Sequence, residues 1–295
     1  MSQPPLVHVT GVIPDRVHDA LASEFELTGQ AAGADGVLSL IPTRIDAAFL
    51  DAAGPRLRIV ANYGVGIDNI DLEAARARGI VVANTPDVLT RATAEQAIVL
   101  MLALLRRTAE GDRFLRRRAE WRFSLEFMLG ESLDRKRIAI VGPGRIGRET
   151  ARLAEAFGAE PFFVGRGDPL HDGLRDADVV SLHVPATAEA HHLIDTAAFD
   201  AMKPTAVLVN TARGSVVDEA ALVAALQTGR IAGAALDVFE FEPAVSPELL
   251  ELENVVLAPH LGSATRETRE AMGLLAVSAL RALLIEGVMP SNVVP

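Results

Sequence analysis

The chain alternates short, uninterrupted apolar runs with longer stretches whose apolar residues recur at helical spacing. Residues 6–9, 36–40, 57–62 and 80–83 read as strands, with helical patterns such as 72–78 between them. A second series follows at 138–141, 161–164, 178–184, 206–210, 234–238 and 255–258, with helices such as 219–227 between. The later runs of this series are apolar without period-two alternation, as in strands covered on both faces of a parallel sheet. Strand and helix in strict alternation predict an α/β protein with two doubly wound sheets, the first smaller than the second. Between the two series, 97–105 is a helix apolar nearly all round, which requires burial against another domain or a second subunit. Thr93-Ala94-Glu95-Gln96 has capping-box spacing just before it. Residues 121–133 are irregular and aromatic. The last helical pattern, 264–285, has no strand after it, so it leads back to the first domain and leaves the tail SNVVP beside that domain's start. The expected division is 1–92 with 269–295 for one domain and 93–268 for the other.

Composition narrows the possibilities. A length of 295 residues with 49% hydrophobic content suits two domains that each bury a core. A formal net charge of −11 argues against a nucleic-acid partner, whose phosphates such a surface repels. The arginine-rich run 113–122 is the exception, either a solvated helix face or linker, or a local anion or partner site. With no cysteine, disulfides, thiolate metal sites and a cysteine nucleophile are all excluded. The longest apolar run falls short of a bilayer span and the first residues lack a leader pattern, so the expectation is a cytoplasmic chain without a membrane partner.

Candidate chemistry begins at 138–147, IAIVGPGRIG, where an apolar strand runs into glycines spaced G-x-G-x-x-G and then into a helix. Gly142 makes the turn, Gly144 lets backbone approach a pyrophosphate, and Gly147 lets helix pack on strand, with Pro143, Arg145 and Ile146 filling the loop. The helix closes at Phe157 with Gly158 as its cap, and the strand 161–164 completes a βαβ unit. An NAD site usually carries an acid at the end of that second strand, for the adenosine ribose. Here Val164 is followed by Gly165 and Arg166. A guanidinium there suits a 2′-phosphate, so NADP(H) is the preferred cofactor, NAD(H) remaining possible because Asp168 lies close by.

In such sheets ligands lie beyond the carboxyl ends of the strands. The residues there are His183 and Pro185, then Thr211, Ala212 and Arg213, then Asp237 with Glu242, and finally His260. An arginine binds a substrate carboxylate and polarises the adjacent carbonyl, a histidine supplies or removes the hydroxyl proton, and a glutamate on its other ring nitrogen fixes the tautomer. Taken singly, Arg213 reads equally as a surface ion pair, Glu242 as a turn residue and His260 as a helix cap. Adjacent His191 and His192 cannot share one helix face, and no metal site is expected. The two glycines of 62–71, NYGVGIDNID, leave backbone N–H groups approachable by a carboxylate.

Several of these segments together resemble the D-isomer-specific 2-hydroxyacid dehydrogenases: NYGVGIDNID from Asn62, NTPDVLTRATAEQA from Asn84, VGPGRIGRETA from Val141, HVPATAEAHHLI from His183, VNTARGSVVDEAAL from Val209, ALDVFEFEP from Ala235 and APHLGSAT from Ala258. The resemblance implies a flavodoxin-like substrate domain built from both ends of the chain and a Rossmann cofactor domain between. It further implies an active site in the cleft and a homodimer formed through the cofactor domains. It makes His260 the acid/base, Glu242 its partner and Arg213 the carboxylate and carbonyl binder. Val65 and Gly66 would hold the substrate carboxylate through backbone N–H groups, Asp237 would meet the nicotinamide amide, and Thr93 would lie near the phosphates. The Gly165-Arg166 departure looks like the NADPH-preferring glyoxylate and hydroxypyruvate reductases. The expectation is an NADPH-dependent reductase of small 2-oxo acids. The alternatives are an NAD-linked dehydrogenase of another D-2-hydroxy acid, or a nucleotide-sensing, corepressor-like binding protein. Ser39, Leu40 and the segment around Trp121 are expected to shape the substrate pocket.

Overall fold

A computed structural model describes residues 3–294, and these divide into two compact units. One comprises the chain through Leu89 and again from Ala264, the other Thr90–Ser263. The junctions thus fall at 89/90 and 263/264, before those expected at 92/93 and 268/269; the first moves because a helix already begins at Thr90, ahead of its apolar pattern.

In the first unit β1 (Leu6–Val9), α1 (Asp15–Ala22), β2 (Glu26–Thr28), β3 (Gly36–Leu40), α2 (Ala47–Ala53), β4 (Ile59–Tyr63), α3 (Leu72–Ala77) and β5 (Val81–Ala83) follow in turn. The strands form one parallel sheet in the order β2-β1-β3-β4-β5, the flavodoxin-like arrangement. Strand β2 carries Leu27 between Glu26 and Thr28, too little alternation to be seen in the sequence. All of β4 is buried, which is why its pattern is continuous rather than alternating.

The second unit opens with α4 (Thr90–Leu105) and α5 (Thr108–Arg116). It continues with β6 (Arg137–Val141), α6 (Arg145–Glu155), β7 (Glu160–Val164), α7 (Leu170–Asp176), β8 (Val179–Leu182), α8 (Thr196–Ala201), β9 (Val207–Asn210), α9 (Glu219–Gln227), β10 (Gly233–Leu236), α10 (Pro247–Glu251) and β11 (Val255–Leu257). The sheet is parallel, in the order β11-β10-β9-β8-β6-β7. Chain direction across the sheet reverses between β6 and β8, so the crevice at their carboxyl ends is the topological switch point. One apolar core, including Leu182, Phe199, Leu208 and Leu236, packs one face of the sheet, and a second, including Met101, Ile138, Ile140 and Val209, packs the other.

The chain then returns to the first unit through α11 (Arg266–Leu284), which packs on β3 and β4. The tail does not end beside β1. Val293 bridges Ala83 and the Val294 N–H donates to the Val82 carbonyl at 2.8 Å, because β5 is an edge strand whose outer backbone groups need partners. Two other expectations change. Helix α4 starts at Thr90, so Thr93 is an interior, buried helix residue and not a cap. Helix α6 stops at Glu155, and Gly158 at φ +79° turns the chain so that the Ala159 N–H bonds the Ala154 carbonyl. Residues 121–133 hold no helix or strand, as the irregular pattern indicated. Within the arginine run, Arg113 and Arg117 both pair with Glu253, and Arg116 pairs with Asp112. No described helix is long and apolar enough to cross a membrane.

The β6–α6 turn is the tightest join. A Cβ on Gly147 would stand 2.3 Å from the Gly142 carbonyl oxygen, which is backbone and cannot swing aside. Gly147→Ala is therefore expected to cost about 1–3 kcal/mol in urea unfolding, with an unchanged midpoint as the contrary result.

Candidate active site

The residues at the carboxyl ends of β6, β7 and β8 line one hollow of about 540 Å³. Gly142, Pro143 and Gly144 come from the first, Gly165, Arg166 and Asp168 from the second, and His183 and Pro185 from the third. Gly142 sits at φ +98°, and a Cβ there would stand 2.7 Å from the His183 carbonyl oxygen. A Cβ on Gly144 would meet nothing within 4 Å, which leaves that backbone open to close approach from the hollow. Gly144 is also the N-cap of α6, with no side-chain cap on the first turn of that helix. The N–H groups of that first turn and the helix dipole favour an anion.

Orphaned polar atoms point the same way. His183, which lines the hollow, has its Nδ1 buried without a hydrogen-bond partner among the described residues, and the Thr211 hydroxyl at the end of the next strand is buried without one too. Burial pushes the His183 imidazole down to about 4, so the ring is neutral at ordinary pH while its Nε2 meets the Ser181 hydroxyl at 2.9 Å. A glycine cradle, a bare helix start and unsatisfied donors and acceptors together fit a dinucleotide.

The other strand ends carry the charged groups. His260 Nδ1 lies 2.9 Å from Glu242 Oε2, and Glu242 Oε1 accepts the Phe239 N–H at 2.9 Å. Burial pushes the Glu242 carboxyl up, but the His260 hydrogen bond, the Phe239 N–H and the charges of His260 and Arg213 outweigh it and hold the carboxyl below its usual range. Arg213, Glu242 and His260 are thus one electrostatic group.

Local structure explains how they meet. Buried Asn210 accepts the Ala212 N–H at 3.0 Å and donates to the Arg213 carbonyl at 2.9 Å, which fixes the loop carrying Arg213. A Cβ on Gly214 would overlap the Phe239 carbonyl, so glycine alone lets that loop lie against the segment leading to Glu242. Buried Glu219 binds the N–H groups of Glu240 and Ser246 and the Ser246 hydroxyl, bracing the same segment from below. The Glu240 carboxylate in turn accepts the Glu219 N–H. Neither Asn210 nor Glu219 stood out in the sequence, since both look like ordinary strand-end or helix-start residues.

Asp237 holds the histidine loop. Its Oδ1 accepts the Leu261 N–H at 2.8 Å and its Oδ2 the Gly262 N–H at 2.7 Å, while the His260 N–H bonds the Asp237 carbonyl at 2.8 Å. His260 sits at φ +53°, a left-handed conformation that costs a non-glycine residue about 1–3 kcal/mol and persists only where its surroundings impose it. These bonds impose it. Burial pushes the Asp237 carboxyl above its usual value, and the two N–H groups reverse that only in part.

Other expected residues lie outside this hollow. Thr93 faces Gly262, where an added Cβ would stand 3.3 Å from its methyl group; it does not line the hollow, and neither do Thr211, Ala212 and Asp237. Val65 and Gly66 belong to the other unit, where Asn84 and Asn62 anchor their carbonyl oxygens at 2.9 and 2.6 Å. His191 and His192, adjacent in the chain, also lie together in space. Donor atoms of His191, His192 and Glu240 lie within 4.8 Å of one another. The two rings lie 4.0 Å apart, tilted by 30°. His192 Nε2 is bonded to Glu240 at 2.6 Å.

Residues 98–262 match the family model described as D-isomer specific 2-hydroxyacid dehydrogenase, NAD binding domain. The chain is 44% identical to a glyoxylate reductase of Pyrococcus furiosus, over 92% of this chain and 90% of that one. Among solved structures it is similar to a protein of Thermus thermophilus, with a TM-score of 0.91 and 40% identity over 98% of this chain and all of that one. It is also similar to the NADPH-dependent glyoxylate/hydroxypyruvate reductase of Sinorhizobium meliloti, solved with NADP and malonate. There the TM-score is 0.88 and the identity 38%, covering 99% of this chain and 97% of that one.

Asp237→Asn leaves one backbone N–H facing an amide NH₂ and should cost about 1–3 kcal/mol in denaturant unfolding; an unchanged midpoint would show that the clamp is not needed. Glu242 has a depressed folded value, so its stabilisation is complete above the ordinary carboxylate range and fades as pH falls through that depressed value. Glu242→Gln should accordingly flatten the acid limb of stability against pH.

Proposed function

The chain belongs to the D-isomer-specific 2-hydroxyacid dehydrogenase family and is an NAD(P)-dependent oxidoreductase, and from that premise we propose that it reduces a small 2-oxo acid to the D-2-hydroxy acid, preferring NADPH. Glyoxylate and hydroxypyruvate are the first substrates in this reading. The observation that carries it is the His260–Glu242 pair beside Arg213, on the carboxyl edge of the sheet that also forms the dinucleotide hollow. The names of the Pyrococcus and Sinorhizobium relatives supply the substrate class.

Each residue then has a task set by its chemistry. Arg213 binds the substrate carboxylate and polarises the neighbouring carbonyl. Glu242, ionised, holds Nδ1 of His260, so that Nε2 is the nitrogen that hands a proton to the carbonyl oxygen. Bound NADPH would supply the hydride. Gly142 through Gly147, with His183, Pro185, Thr211 and Ala212, would hold the dinucleotide, and Asp237 would meet its carboxamide by a lone pair left over from the backbone clamp. Thr93 is assigned to the phosphate end of the same site. Arg166, lining the hollow at the end of β7, is the group that would take the 2′-phosphate. In this reading Thr90–Ser263 is the cofactor domain, and the unit with Val65 and Gly66 binds substrate.

The same reading makes the chain a cytoplasmic homodimer. Trp121 stacks on Phe127 at 5.9 Å, and Phe123, Leu125 and Leu129 stand 81, 83 and 65% exposed, an apolar segment that a second subunit would cover.

A panel of 2-oxo acids against both cofactors tests the proposal, and turnover of none of them would end it. His260→Ala should lose about 10²–10⁴-fold in kcat with NADPH binding retained. Arg166→Ala should weaken NADPH far more than NADH, and equal losses would remove its role. Light scattering should give twice the chain mass, and Leu125→Glu should give monomers.

A further inference from the structure

The loop after β7 does more than present Arg166. The Gly165 N–H donates to Oδ2 of Asp168 at 2.7 Å, and the Asp168 N–H donates back to the Gly165 carbonyl at 3.2 Å. The turn is therefore closed on itself, with a carboxylate folded back to the end of the strand. A Cβ built on Gly165 would stand 3.4 Å from that same Oδ2 and 3.5 Å from Pro143 of the glycine loop. The carboxylate thus occupies the neighbourhood into which a side chain at 165 would project. That is the place from which an acid of an NAD-binding βαβ unit accepts the ribose hydroxyls.

The charges around the hollow agree. Among its lining residues Arg166 is the one cation, and it shares the site with two carboxylates, Asp168 and Glu189. Glu189 is held below the usual carboxylate range by its own backbone N–H first, with the Thr187 hydroxyl and the Arg166 charge adding to it. Arg166 is thus partly matched from within the protein before a ligand arrives. A 2′-phosphate bound at Arg166 would share the hollow with the Asp168 carboxylate, and would find the Gly165 N–H already taken.

We propose that Asp168 is a specificity-determining residue that opposes Arg166: it stands in for the acid missing at residue 165, accepts the ribose 2′-hydroxyl of NAD(H), and keeps the margin for NADP(H) narrow. The inference rests on the reading of this hollow as the dinucleotide site. It assigns the two halves of cofactor choice to neighbouring side chains, so that the chain draws on either nicotinamide pool.

Calorimetric titration of the full chain with adenosine 2′,5′-bisphosphate and with 5′-AMP separates the two ideas without turnover. Asp168→Asn keeps an oxygen for the Gly165 N–H and removes the charge. It should raise the affinity for the bisphosphate relative to 5′-AMP by about tenfold, with the NADPH/NADH ratio of kcat/KM moving the same way. Asp168→Ser is the second variant and should move the ratio in the same direction. An unchanged ratio in both variants, with 5′-AMP still bound, overturns the role of Asp168 alone. A wild-type chain that takes up neither 5′-AMP nor NADH overturns the dinucleotide reading beneath it.

Discussion

A buried carboxylate that spends both oxygens on backbone donors is the constraint on which the site depends. Asp237 lies at the end of β10, almost wholly removed from solvent, and is committed to the N–H groups of Leu261 and Gly262. An isolated charge in that position would be untenable, whereas one that closes two hydrogen bonds becomes a rigid fixture. It converts an unfavourable backbone conformation at His260 into a fixed one, and so decides where the imidazole stands.

The remaining pieces of the site follow the same pattern of polar groups bound by backbone. Asn210 fixes the Arg213 loop, and Glu219 fixes the segment that carries Glu242. Gly214 allows the two to touch. Each functional side chain is therefore held at the end of a strand by a buried polar neighbour, and the sheet supplies the common edge. This is why a guanidinium, a carboxylate and an imidazole, widely separated along the chain, act on one another electrostatically.

The hollow at the switch point is built by the opposite means, through absence of side chains. Gly142 and Gly147 remove atoms where strand, loop and helix cross, while Gly144 leaves open space. Charge enters through Arg166, Asp168 and Glu189, which line the same hollow. The core of that unit carries no charge, since both faces of its sheet are filled with apolar side chains.

Much of this was legible in the chain itself. Continuous apolar runs mark parallel strands because burial on both faces removes alternation, and the glycine spacing marks a phosphate turn because few other residues tolerate those contacts. Strand ends named the chemically useful residues. What one dimension could not hold was everything set by contact between distant segments. The three-residue β2 has too few side chains to show a period, and the start of α4 is hidden in a run that suits a helix throughout. The tail's place on β5 depends on which strand is left at an edge. The positioning roles of Asn210, Glu219 and Asp237, and the return of the Asp168 carboxylate to residue 165, exist only once the chain has turned back on itself. The sequence determined which chemistry was present, because side-chain type is local; the tertiary structure decided which groups meet, because hydrogen bonds are made across space and not along the chain.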